Sequence, residues 1–400
     1  MTRFNTQRRY GSVTKSFHWL TALLILALIP LGIMANKAAH APEPDFERAA
    51  FLFSLHKTLG VTVFSVAILR ILWALRQAKP GPLHPDRRAE TLLAEIVHWT
   101  LYGSLVLVPL TGWISHAATE GFAPIWWPFG QGLPFVPVDQ TIKSFFAGLH
   151  IVFERVLVIS IFLHVAGALK HQFIDRDSTL RRMWFGNRDA VDVPPHRHSA
   201  IPAVLAGGAF ALAIGVGSAI GMFEKSTAPV HAAALDTVGS DWTVADGNIA
   251  LSITQFGNTV TGEFTDWTAA IVFNPEPAEV QGNVDVTINI GSLVLGSVRD
   301  QAMGPDFFDA DQFATATFVG ELLAVPDDGI VMDGTLTIKD QSVPIAVPMS
   351  MLVDGDTATS SGSITLDRRS FGIGDSMADE SSLAFAVDVS INLTATRTAN

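Results

Sequence analysis

The chain has 400 residues, 48% of them hydrophobic, and a formal net charge of −12; that length accommodates two or three domains. It contains no cysteine, which excludes disulfides, thiolate metal sites, thiol catalysis and covalent attachment of a prosthetic group through Cys-x-x-Cys-His. The charge is unevenly divided, with +7 on residues 1–199 and −19 on residues 200–400, together −12. A basic half rich in apolar runs is thus joined to an acidic half of different character, and no nucleic-acid partner is expected.

Five apolar runs in the first half have close to the ~20 residues a bilayer demands. They lie at about 17–35, 51–75, 92–117, 145–170 and 200–223. The first follows Arg3, Arg8, Arg9 and Lys15 and lacks a small-residue cleavage site, so it reads as a retained signal anchor. Basic residues cluster at the N-terminus, in the second loop (Arg76, Lys79, Arg87, Arg88) and in the fourth (Lys170, Arg176, Arg181, Arg182, Arg188, Arg197). By the positive-inside rule these segments are cytoplasmic, and an odd number of spans puts the acidic half on the other side. In a Gram-negative bacterium that places the helices in the inner membrane and the C-terminal part in the periplasm. The third loop interleaves Trp126, Trp127, Phe129 and Phe135 with Pro and Gly, either an interfacial aromatic belt or a platform over a ligand or partner site.

After a linker at about 224–236 the pattern changes to period-two alternation. Val284, Val286, Ile288 and Ile290 alternate with Asp285, Thr287 and Asn289, and Phe385, Val387, Val389, Ile391 and Leu393 do likewise. Turn signals are read at Gly257-Asn258, Gly282-Asn283, Asp327-Asp328-Gly329 and Asp354-Gly355-Asp356. Half-buried strands separated by such turns predict an antiparallel barrel or sandwich.

The twelve histidines carry the chemistry. His150 and His164 share the fourth apolar helix, fourteen residues apart. At 100° per residue the two side chains return to within about 40° of each other, about 21 Å apart along the axis. His18 lies at the inner end of the first span and His56 at the outer end of the second. Intramembrane histidines are costly, and function is their default reading. Pairing by depth gives an inner couple, His18 with His164, and an outer couple, His56 with His150. An imidazole on each face fills both axial positions of a haem iron, leaving no vacant site for dioxygen, which suits electron transfer. His98 and His116, eighteen apart in the third span, are rivals for ligation; contacts to haem propionates, quinone or interfacial water are their other reading, which extends to His171. Arg70, fourteen residues after His56, either meets a propionate or a quinone carbonyl or snorkels to the headgroups. His40, His84, His196, His198 and His231 read as solvated.

These features carry two resemblances. Residues 3–185 resemble the bacterial cytochrome b561 family through His18-Trp19-Leu20, His56 with Gly60, Arg70, and His150 with His164. The arrangement is also similar to the cytochrome b subunits of hydrogenases and formate dehydrogenases. The resemblance implies a four-helix membrane domain, two b haems ligated by His18, His56, His150 and His164, and electron exchange with ubiquinone or another isoprenoid quinone; some relatives are associated with superoxide oxidation. Residues 239–397 resemble the YceI-like family through Trp242–Val244, Val260–Phe264, Val298–Asp300, Asp306–Asp309, Ala314–Phe318 and Gly334–Ile338. That resemblance implies a lipocalin-like barrel binding a polyisoprenoid chain.

The expected architecture is therefore an α-helical membrane bundle of four cytochrome helices plus a fifth transmembrane helix, followed by an all-β lipocalin-like antiparallel barrel. Its expected parts are residues 1–185, a segment 186–235 with the fifth helix and its linkers, and the barrel 236–400. The expected function is electron transfer to or from the quinone pool. Two alternatives stand beside it, a haem-containing anchor for a dehydrogenase or hydrogenase partner and an isoprenoid lipid carrier or sensor. A redox partner protein or a homo-oligomer fits either electron-transfer reading.

Overall fold

A computed structural model describes residues 2–41, 45–119, 123–186, 199–223, 235, 240–274, 276, 278–325 and 329–398. The chain forms two compact units, one built from residues 1–119 and 124–225 and the other from the β-structure after residue 226. Asp327 and Asp328, the linker around 224–236 except Leu235, and His196, His198 and His231 lie outside the described residues.

The helical unit contains five helices long and apolar enough to cross a membrane. They are α1 (Ser12–Ala39), α2 (Phe46–Leu75), α3 (Arg88–Ala117), α4 (Gln140–Lys170) and, after the short α5 (Thr179–Met183), α6 (Ile201–Ala219). Asp45 and Asp139 cap α2 and α4, their carboxylates accepting from the backbone N–H groups of Arg48 and Ile142. Such caps satisfy donors that a helix start leaves orphaned. α1 packs with α2 and α3 with α4, α2 and α3 join the pairs, and α6 lies against α3 and α4. The shared core is Ile25, Leu28, Val63, Ala67, Leu105 and Leu157, with a buried hydrogen bond from Ser160 to Thr100 (2.9 Å). Large apolar side chains point outward on every face, among them Leu23, Leu69, Phe162 and Leu212, as expected of helices whose solvent is lipid.

The second unit is all-β. Its strands are β1 (Trp242–Gln255), β2 (Asn258–Phe264), β3 (Trp267–Phe273), β4 (Val280–Asn289) and β5 (Leu293–Val294). The short helix α7 (Arg299–Met303) follows, then β6 (Thr315–Val325), β7 (Gly329–Ile338), β8 (Gln341–Asp354), β9 (Thr357–Asp367) and β10 (Leu383–Arg397). All ten strands form one curled sheet in the order β3-β4-β6-β7-β8-β9-β10-β1-β2-β5, each neighbour antiparallel. The alternating residues face inward as expected, with Val284, Val286, Ile288, Val387, Val389, Ile391 and Leu393 lining the interior. The β1–β2 turn is made by Phe256 (φ 48°) and Gly257 (φ 75°), two positive-φ residues whose twist matches a tight hairpin. Gly355 (φ 60°) turns β8 into β9.

One turn signal is corrected. Gly282-Asn283 lies within β4, beside a register irregularity between Val280 and Gly282. A Cβ at Gly282 would collide with the Val272 carbonyl oxygen on the neighbouring strand, so this glycine permits close strand approach rather than a reversal.

Candidate functional site

The helix packing brings four of the sequence-selected histidines together in two couples. His18 of α1 and His164 of α4 have ring centroids 6.1 Å apart, and His56 of α2 and His150 of α4 are 6.4 Å apart. Two imidazoles on opposite sides of one iron, with bonds of about 2.0 Å, put their centroids about 6.3 Å apart. Both couples have that span. His98 stands 5.2 Å from His164, too close for an iron between them, and lies beside the inner couple on an exposed part of α3. His116 lies near His56, His150 and Lys57, at the outer couple.

The outer couple is held by a repeated device. His56 Nδ1 donates to the Leu28 carbonyl (3.1 Å) and His150 Nδ1 to the Val108 carbonyl (2.8 Å). A bond at Nδ1 fixes the tautomer that leaves Nε2 as the free ligand atom. Four residues beyond each carbonyl is a glycine. A Cβ at Gly32 would stand 2.9 Å from the His56 ring, and one at Gly112 would stand 2.9 Å from the His150 ring. Both glycines follow a proline within the helix, in Pro30-Leu31-Gly32 and Pro109-Leu110-Thr111-Gly112. The helix surface is therefore notched where each imidazole seats.

The inner couple is surrounded by cations and aromatics. Arg70 lies over the Tyr102 ring at 5.2 Å, and its charge reaches His18, His98 and His164. It thus faces the interior of the bundle. Arg182 is 8% exposed and lies over Tyr10 at 5.6 Å. One of its nitrogens donates to the Gly81 carbonyl (3.1 Å), while Nε and Nη2 have no hydrogen-bond partner. Buried guanidinium donors without acceptors are costly and fit an oxygen-bearing ligand such as a propionate or a quinone carbonyl. The two tyrosines of the chain both belong to this neighbourhood. Trp19 Nε1 and Lys15 Nζ donate to the Met183 and Trp184 carbonyls (2.9 and 2.8 Å), fixing the segment that carries Arg182 against α1.

Several of these residues are not among the sequence-based candidates: Gly32, Gly112, both tyrosines and the buried Lys57, while Arg182 enters there only as a loop charge. Only the two Pro-x(1–2)-Gly steps, recurring in apolar helices, were visible signals. His84, read as solvated, is paired: its Nε2 is 3.0 Å from Asp177 Oδ2. In the aromatic loop Trp127 is 89% exposed and Phe135 fully exposed, whereas Trp126 packs on Phe51 at 5.6 Å.

A family model for prokaryotic cytochrome b561 matches residues 9–186. Over 185 residues the chain is 31% identical to Cytochrome b561 homolog 2 of Escherichia coli (strain K12), covering 95% of that protein and 46% of this one. The chain belongs to the prokaryotic cytochrome b561 family. It is also 25% identical over 182 residues to the Probable superoxide oxidase CybB of Yersinia pestis, covering 96% of that protein and 44% of this one. Residues 237–395 match the model of the YceI-like domain. Among solved structures, Burkholderia cenocepacia BcnA is 30% identical, with a TM-score of 0.37, covering 39% of this chain and all of that one. A Campylobacter jejuni YCEI protein is 24% identical, with a TM-score of 0.32, covering 34% of this chain and 85% of that one. This is therefore a membrane cytochrome b561, whose family implies b-type haem, extended by a YceI-like β-domain.

The β-domain holds an apolar cavity of about 220 Å³. Aliphatic and aromatic side chains line it, including Val260, Phe318, Met332 and Val347, and Gln255, Gln301 and Arg368 are its polar lining residues. Arg368 is 3% exposed and donates to the carbonyls of Ile373, Gly374, Met377, Leu383 and Ala384. One buried side chain thus ties the 368–384 segment beside the cavity.

Proposed function

We propose that this protein is an inner-membrane di-haem cytochrome that passes electrons between an outer donor and the quinone pool. One haem b is held by His56 and His150 and the other by His18 and His164. The observation that carries the reading is the pair of imidazole separations, 6.1 and 6.4 Å, each matching a bis-imidazole iron and both anchored on α4. When bound, haem would supply reversible one-electron carriage, with the two imidazoles of each couple holding its iron. The protein's part is to fix and isolate that iron. The Leu28 and Val108 carbonyls hold the Nδ1 protons of the outer ligands, and Gly32 and Gly112 let the rings seat. At the inner couple, Arg70 and the unpartnered N–H groups of Arg182 offer positive charge and donors to a propionate or a quinone oxygen.

In this reading the N-terminus is cytoplasmic and the β-domain periplasmic, from the loop charges. Superoxide is a fitting outer donor: one relative is named a probable superoxide oxidase, and outer-sphere electron transfer needs no open iron site. The apolar cavity of the β-domain suits an isoprenoid chain, whether a lipid or the quinone's own tail. The test is haem quantitation on purified protein expressed with ample haem, followed by reoxidation with added quinone. Two haems per chain and quinone-dependent reoxidation are expected. One haem per fully loaded chain refutes the two-centre reading.

A further inference from the structure

At the inner end of the helical unit a second set of metal-competent side chains meets, apart from the four histidines above. The α-helical path of α4 passes into a π-helical turn at His171–Asp175, a feature common at functional sites. Arg176 then takes φ 55°, and the Asp177 N–H donates to the His171 carbonyl (3.1 Å). This reversal returns the Asp177 carboxylate to the His171 ring. Its Oδ1 accepts from the Thr179 N–H at 2.8 Å, which aims Oδ2 at two imidazoles. His171 Nδ1 is 2.7 Å away and His84 Nε2, from the loop between α2 and α3, is 3.0 Å away. The two rings are parallel to within 1° at 6.2 Å, and the three ligand atoms all lie within 4.8 Å of one another.

Ligand atoms around a tetrahedral ion with bonds of about 2.0 Å are about 3.3 Å apart. The two carboxylate–imidazole separations, 2.7 and 3.0 Å, need to open by about 0.3–0.6 Å to admit one, and the two imidazole nitrogens already lie within 4.8 Å of each other. Asp175 is differently committed. It is bound by Arg87 (2.9 Å) and Lys170 (3.0 Å), though it also reaches His171 Nδ1 at 3.1 Å. Lys170 additionally bridges to Glu90 (2.9 Å). These cations neutralise Asp175 and Glu90, leaving Asp177 as the carboxylate available to a cation between the imidazoles.

The geometry points to a divalent transition-metal site formed by His84 Nε2, His171 Nδ1 and Asp177 Oδ2, with water completing the shell. Two imidazoles and one carboxylate favour Zn²⁺ or Cu²⁺ over Mg²⁺ or Ca²⁺, which prefer all-oxygen shells. The ion replaces the protons that the imidazoles now direct at Asp177, so binding weakens as pH falls. It joins the α2–α3 loop to the end of α4.

The test is titration of the full-length chain in detergent, stripped with chelator, with Zn²⁺ against a competing indicator, and with Cu²⁺ followed by electron paramagnetic resonance. One Zn²⁺ per chain and a Cu²⁺ spectrum split by two nitrogens are expected. His84→Gln with His171→Gln should lower the affinity at least tenfold, as should Asp177→Asn. The haem absorbance of each variant reports folding independently. The proposal fails if the unaltered chain binds neither ion in the micromolar range, if the Cu²⁺ spectrum lacks the two-nitrogen pattern, or if folded variants keep the affinity. The first two outcomes need no variant, and none of them bears on the haem reading.

Discussion

Replacing Gly112 by alanine tests how the outer couple is built. The new Cβ would lie 2.9 Å from His150 Nδ1 and 3.1 Å from Cε1, where comfortable contact is about 3.5–4.0 Å. The imidazole has to retreat by more than half an ångström from a helix that cannot yield its own backbone. That displacement stretches the 2.8 Å bond to Val108, worth about 1 kcal/mol net, and overpacks a close contact at a cost of about 1–3 kcal/mol. Together these amount to about 2–4 kcal/mol, or a 30- to 1,000-fold loss of haem affinity at about 1.4 kcal/mol per decade. The same substitution raises helix propensity by about 1 kcal/mol, so helicity should be undiminished. The assay is haem per chain by pyridine haemochrome, with circular dichroism as the control. Loss of the outer haem at full helicity is expected. A Gly112→Ala protein retaining two haems with unaltered potentials would show that the notch does not seat a ligand.

Further expectations concern other parts of the molecule. His164→Ala should remove the inner haem and leave the outer spectrum largely intact, whereas His98→Ala should retain both; difference spectra with haem counts decide. Arg368→Met leaves five carbonyls, three of them buried, without their donor and should destabilise the β-domain by about 3–5 kcal/mol, read as an earlier β-sheet melting transition with the haem spectrum unchanged. For Asp177, burial pushes the carboxyl up, but hydrogen bonds from Thr179, His171 and His84 outweigh it and hold it below its ordinary value. Its stabilisation is therefore fully present above the unfolded value of about 3.9 and is lost as pH falls through the lower folded value. Hydrogen exchange across residues 171–183 should accelerate on acidification in the unaltered protein, and Asp177→Asn should flatten that dependence.

What the sequence disclosed follows from the range of each signal. The five helices were legible because length and hydropathy are local properties; α2 and α4 begin about five residues before their apolar runs, where the capping aspartates Asp45 and Asp139 set their starts. The fourteen-residue spacing of His150 and His164 was legible for the same reason. His84 and Asp177 were not: they are far apart in sequence and meet through a π-helical turn and a positive-φ arginine that no periodicity announces. Gly282 was misread because a glycine beside an asparagine is the usual mark of a reversal, whereas here it serves strand proximity. Gly32 and Gly112 are the reverse case, ordinary to inspection until the imidazoles opposite them are known.

The placement of α6 has a consequence for lateral traffic. Its Phe210 ring rests on Gly103 of α3, and its Gly217 lies against Val152 of α4, so the fifth helix shutters one flank of the cytochrome. A hydrophobic molecule diffusing in the plane of the bilayer finds that side closed. α6 makes its helix contacts with α3 and α4, which leaves α1 and α2 as the uncovered side of the bundle.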